Sequence, residues 1–308
     1  MRPTMPKSPC KDGPTDMASA TWRTDLLMVG VAAIWGSTFV AQQMGMDSVG
    51  PFTYTAARMV LGVLLIAPLW WWRGGPFAAV PRVDSRGLWR DGTLLGLVLF
   101  SAINLQQVGL LGTSVSNAGF ITGLYVVLVP MLMRLLGQPV GLPVWLAVAL
   151  AAMGLYFLSV KPDATIAPGD WLQLGGAGLW AVHVLLVGHW ARRHDAIRLS
   201  IVQYAVAGAL SWVAALWRDE AITPDALTGA AGAIAWGGIL SIGIAYTLQV
   251  VAQRTAKASH AAVIYSSEGV FAAIGGWWIL GEAIGWRGWG GATLILAGML
   301  LAQLGRRS

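Results

Sequence analysis

Ten apolar runs, each close to the length that crosses a bilayer, alternate along this chain with short polar connections. They fall near residues 25–44, 52–72, 92–111, 115–136, 142–160, 170–190, 199–217, 229–252, 259–280 and 287–304. A helix rises 1.5 Å per residue, so ~20 residues cover ~30 Å of hydrocarbon. The pattern predicts an all-α membrane protein of ten transmembrane helices. Residues 1–24 are rich in Pro, Thr, Ser and Lys without apolar periodicity, and are expected to form a disordered tail. Residues 305–308 are expected as a second, shorter tail. The first run has no clear small-residue cleavage site, so it reads as a retained span and not a signal peptide.

Composition removes the soluble alternatives. The chain is 56% hydrophobic and only 11% charged, with mean hydropathy +0.64, whereas soluble domains are about 25% charged. A net charge of +6 would suggest nucleic-acid binding in a soluble protein. Here Lys and Arg collect in alternate connections, as they do in cytoplasmic loops. With the N-terminus inside, sixteen of the 20 basic residues fall on the cytoplasmic side. Both chain ends are therefore expected in the cytoplasm, and the protein in a bacterial inner membrane. Trp70, Trp71, Trp72, Trp89, Trp171, Trp190, Trp217, Trp286 and Trp289 lie near helix ends and read as interfacial anchors. A single cysteine, Cys10, excludes an intramolecular disulfide and a multi-cysteine metal site. No metal or cofactor is expected, and no nucleic acid.

The runs repeat. A shift of 143 places Leu105-Gln106 on Leu248-Gln249, Ser116 on Ser259 and Ile121 on Ile264. A shift of 144 places Gly137 on Gly281 and Gly154 on Gly298, and Trp35 falls on Trp180. Two units follow, 25–160 and 161–304. Five helices is an odd number, so the second unit enters from the opposite face and the repeat is inverted. In carriers, such halves rock about a site near the midplane.

Trp35-Gly36-Ser37-Thr38-Phe39, Thr113 to Ala118, Ala256 to Ala262, Glu268-Gly269-Val270-Phe271 and Leu280-Gly281-Glu282 resemble the EamA-domain carriers of the drug/metabolite transporter superfamily. The resemblance spans about 25–304. It implies a central cavity and export of small metabolites, amino acids or toxic compounds. Two departures stand out: Gly269 where the family often has Pro, and Gln138 where it often has Glu in the first-half turn. Glycine permits a bend in the ninth helix without forcing one.

The candidate binding residues are intramembrane polar and aromatic groups. Glu268 comes first, because a charge near the bilayer centre costs at least ~2.5–3.5 kcal/mol and so faces a bundle interior or a wet cavity. It serves either as a proton site or as a brace at the break. Trp35, Thr38 and Gln42 form one helical stripe, and Trp180, His183 and Val187 the pseudo-symmetric one. Either these meet substrate, or the polar ones bond between helices. Asn104 and Gln107, Tyr246 and Gln249, Tyr265, and Tyr125 complete the set. Arg58 admits two readings, attraction of an anionic substrate, or a structural pair or snorkelled side chain; the second is favoured.

A membrane enzyme finds no support, since neither His-Glu-x-x-His nor Gly-x-Ser-x-Gly occurs. A channel lacks a charged ring or carbonyl-filter sequence, and no Walker motif is present. The expectation is a secondary transporter, the alternative a polytopic enzyme or a channel not driven by ATP. Its expected partners are a small-molecule substrate and the lipid bilayer, with protons and a second copy, as a homodimer, left open.

Overall fold

The structure is a computed structural model and describes residues 14–70, 85–159 and 167–304. We label the helices α1 (Pro14–Gly45), α2 (Pro51–Trp70), α3 (Ser85–Gly109), α4 (Val115–Leu135) and α5 (Leu142–Ser159). The second set is α6 (Pro168–Trp190), α7 (Ala196–Trp217), α8 (Ala231–Ala252), α9 (Ala258–Leu280) and α10 (Trp286–Leu304). Eight of these are long and apolar enough to cross a membrane by themselves. The other two, α5 and α10, pack against each other more extensively than any other pair of helices. The fold is thus helical throughout the described residues, with two sets of five.

The first helix starts at Pro14, ahead of the expected boundary, so residues 14–24 continue the helix instead of forming tail. Proline is tolerated at a first helical position because its missing N–H has no intrahelical partner to lose. The expected tails at 1–13 and 305–308, and Trp71 and Trp72, lie outside the described residues. Among the end tryptophans, Trp217 and Trp286 are 86% and 85% exposed, as anchors facing lipid would be. Trp190 is buried in a cluster with Leu88, Leu95 and Val250, because the α6–α7 turn folds over it.

Matching turns end the repeat-related helices α4 and α9. Gly137 and Gly281 take left-handed φ values of 76° and 73°, which glycine adopts without strain. After each, the next amide reaches back into the helix: Gln138 N–H to the Met133 carbonyl and Glu282 N–H to that of Gly276. The first bond reaches five residues back and the second six, so the two turns share the left-handed glycine and not the bond. We call the face that holds the start of α1 the N-terminal face, and the other the opposite face.

Inter-half packing repeats as well. Asp25 at the start of α1 accepts a bond from, or shares a proton with, His260 at the start of α9, 2.8 Å apart. Their equivalents by the offsets of Trp35/Trp180 and Ser116/Ser259 are Asp170 and Asn117, and the Asn117 amide donates to Asp170 at 2.7 Å on the opposite face.

Candidate functional site

Both α4 and α9 break in mid-helix. In α4 the break is at Leu124, so Tyr125 begins its second segment; in α9 it is at Ser266-Ser267, so Glu268 begins its second. Tyr125 and Glu268 are 143 residues apart, the repeat offset. Proline is not needed for the second break. The Ser266 and Ser267 hydroxyls each donate to a carbonyl three residues back, both at 2.7 Å, and such back-bonding bends a helix. Gly36 lets α1 approach that break, since a Cβ there would lie 2.6 Å from the Glu268 carbonyl oxygen. Discontinuous helices of this kind mark the ligand sites of many carriers.

Between the breaks lies a central cavity. Its walls include Trp35, Thr38, Gln42, Arg58, Ile103, Gln106, Thr122, Tyr125, Trp180, Ser241, Tyr246, Gln249 and Glu268. About 30 Å³ of it admits water centres, room for roughly two waters. Tyr246 sits between the repeat-related tryptophans, with ring centroids 4.7 Å from Trp35 and 5.8 Å from Trp180. It lies at the end of a π-helical stretch of α8, Trp236–Tyr246. Winding with i→i+5 bonds puts residues five apart on one face, so Ser241 and Tyr246 reach the cavity together.

Several polar atoms around the cavity have no hydrogen-bond partner among the described residues: Trp35 Nε1, Gln42 Oε1, Arg58 Nε, Tyr125 Oη, Gln249 Oε1 and Glu268 Oε1. A buried polar group left unpaired costs about 1–3 kcal/mol. Glu268 faces Tyr125 outside strict hydrogen-bond geometry. The amides that open its helix segment bond to Ser266 and Ser267 carbonyls, so the carboxylate does not brace them. Arg58 is buried, and among the described residues no carboxylate pairs with it. Its Nη2 donates to Gln107 Oε1 at 3.2 Å, and its guanidinium lies 5.0 Å from the Tyr54 ring centre.

Seven of the eleven candidates line the cavity: Trp35, Thr38, Tyr125, Trp180, Tyr246, Gln249 and Glu268. The other four lie behind it. Asn104 turns to α7, donating to Ser211 Oγ at 2.9 Å. Gln107 holds Arg58. His183 meets Gln203 Oε1 at 3.0 Å and stands edge-on to Trp180. Tyr265 backs Trp35 with ring centroids 5.2 Å apart. On α3 the cavity residue is Gln106, which also accepts from Trp180 Nε1 at 3.1 Å. Its repeat counterpart is Gln249, so the offset carried the signal that helical spacing around Asn104 and Gln107 obscured. Arg58 is not snorkelled: it is held by Gln107 and Tyr54, as a structural side chain would be, and it also lines the cavity.

Each face is closed by polar contacts between the halves. On the opposite face, Glu282 accepts from the Val115 amide at 3.2 Å and the Ser116 amide at 3.3 Å, and from the Ser116 hydroxyl. Glu220 accepts likewise from Phe52 and Thr53, which begin α2. These are carboxylates on helix N-termini, where free amides and the helix dipole favour negative charge. On the N-terminal face the contacts are Asp25–His260 and Asp91–His194, each 2.8 Å.

Residues 22–160 and 167–304 each match the EamA-like transporter family. An uncharacterised transporter of Archaeoglobus fulgidus is 31% identical over 281 residues, covering 91% of this chain and 85% of that one. A protein of known crystal structure shares the fold with a TM-score of 0.74 at 18% identity, covering 92% of this chain and 98% of that one.

Proposed function

Since the chain belongs to the EamA-like transporter family, we propose that it is a secondary carrier of small metabolites, amino acids or toxic compounds. In this reading it exports them across a bacterial cytoplasmic membrane by alternating access, with both chain ends inside. The observation that carries it is the central cavity: aromatic walls, an arginine and a glutamate without an ion-pair partner among the described residues, and a repeat-related break in each of two helices. A solute with polar and apolar parts matches such walls. Arg58 offers a guanidinium to an anionic group, and Glu268 a carboxylate to a cationic group or a proton. Among the described residues no amide donates to the Glu268 carboxylate, which favours the proton site over the brace.

The cavity holds roughly two waters, so solute entry requires the halves to move apart. That is the behaviour of an occluded carrier and not of an open pore. Metabolite profiling of cells with and without the gene identifies accumulated compounds, and uptake of those compounds into inverted vesicles tests the reading. Uptake that is saturable and lost in Arg58→Gln at unchanged membrane abundance is the expected result. Absence of uptake for every accumulated compound overturns it. Transport by Glu268→Gln across pH then decides coupling: a wild-type rate and pH profile would remove protons from the cycle.

A further inference from the structure

A second opening, apart from the central cavity, lies on the N-terminal face where α4 ends, α6 ends and α9 begins. It has about 680 Å³ of space for water centres, enough for a metabolite. Its floor is apolar, with Met133 and Leu185, and His189, Arg192, Arg193 and Lys257 stand at its rim. The last four are exposed, and among the described residues no carboxylate pairs with any of them. All three helices also wall the central cavity, through Tyr125, Trp180 and Glu268.

Repeat symmetry explains why the groove is open. Its equivalent on the opposite face is where the turn after α9 meets the start of α4, and there Glu282 closes the gap by binding the Val115 and Ser116 amides. At offsets of 144 and 143, Glu282 corresponds to Gln138, and Val115 to Ala258. Gln138 and Ala258 both line the groove. The turn carrying Gln138 follows a left-handed glycine, as does the one carrying Glu282, but its neutral amide makes no side-chain bond to the start of α9 among the described residues. A carboxylate is the group that favours a helix N-terminus, and here it is missing.

We propose that this groove is the loading mouth of the carrier and that it selects solutes bearing an anionic group, a carboxylate or a phosphate. It rests on the carrier reading above. A mouth lined by one sign of charge raises the local concentration of the opposite charge. The groove gathers the anionic group at Arg192, Arg193 and Lys257. Gln138 keeps this mouth unlatched while Glu282 holds the other shut.

The test needs no knowledge of the solute. In the full chain with Cys10→Ser, Ala258→Cys places one thiol in the groove. Its rates with an anionic and a cationic methanethiosulfonate reagent are measured in phosphatidylcholine nanodiscs, each relative to a free thiol. We expect the anionic reagent to be favoured about tenfold, and the preference to vanish when Arg192, Arg193 and Lys257 are all changed to Gln. Equal rates in the parent, or a preference unmoved by those changes, overturn charge selection. Added phosphatidylglycerol provides a second arm: if it slows both reagents alike, a lipid headgroup occupies the groove and the loading mouth is refuted. Gln138→Glu is expected to slow both reagents and Gln138→Leu neither; parent-like rates in Gln138→Glu overturn the missing latch. Labelling does not depend on transport, so charge selection without any vesicle uptake would sink the carrier reading and leave the anion groove standing.

Discussion

The two faces of this molecule are built from the same five-helix plan and are closed by different chemistry. On the opposite face, Glu220 and Glu282 from the second half each bind the first amides of a helix in the first half. On the N-terminal face, Asp25 and Asp91 from the first half bind imidazoles, His260 and His194, of the second. A carboxylate on a helix end is held by backbone that cannot rotate away. A carboxylate on an imidazole is held by one side chain, and so by a softer contact.

Six substitutions, arranged in four tests, would break or sharpen this contrast. The largest effect is expected from Glu282→Gln, which removes charge-assisted bonds to two amides and a hydroxyl. It should cost about 2–3 kcal/mol in detergent unfolding and expose Ser116→Cys to a maleimide; unchanged labelling would show that another contact holds that face. Removing charge from a repeat-related pair comes next. Asp25→Asn and Asp170→Asn should each cost about 1–2 kcal/mol, with the N-terminal face loosened by the first and the opposite face by the second. Identical labelling patterns would mean that the faces are not independently closed.

A smaller difference separates the paired tryptophans. Trp180 Nε1 is bonded to Gln106 whereas Trp35 Nε1 is unpaired. Trp35→Phe should therefore lower affinity for transported solute with little change in unfolding temperature, and Trp180→Phe should mainly lower stability. The reverse assignment would place the solute against α6. The smallest effect is expected from Asn117→His, which copies the Asp25–His260 pair onto the other face. A stability change within about 1 kcal/mol is the outcome that repeat equivalence requires; loss of folded protein would show that the two environments have diverged.

Much of the fold is legible in the sequence because lipid imposes length and apolarity on every span. The repeat is legible too, and it locates Trp35 and Trp180 on the cavity without any structure. What periodicity could not settle was which face of a helix looks inward. Asn104 and Gln107 share a stripe, yet Gln106 lines the cavity, and only its equivalence to Gln249 pointed there. Arg58 shows the same limit in another form: its depth follows from counting along α2, but not whether it turns to lipid, to a partner or to the cavity. The break in α9 was hidden for a local reason. Ser266 and Ser267 make it with side-chain bonds to Val263 and Ile264, and serines in a membrane helix otherwise suggest interhelical contacts.

The π-wound stretch of α8 gives this protein a screw thread. Trp236–Tyr246 takes more residues per turn than the α-helical segments on either side. Rewinding it into α geometry lengthens α8 and rotates everything beyond it about the helix axis. Tyr246, wedged between Trp35 and Trp180, would be driven out of the aromatic stack by that rotation, with Gln249 following. The tyrosine is therefore a stopper on a threaded shaft, withdrawn from the aromatic stack when that stretch of backbone unscrews.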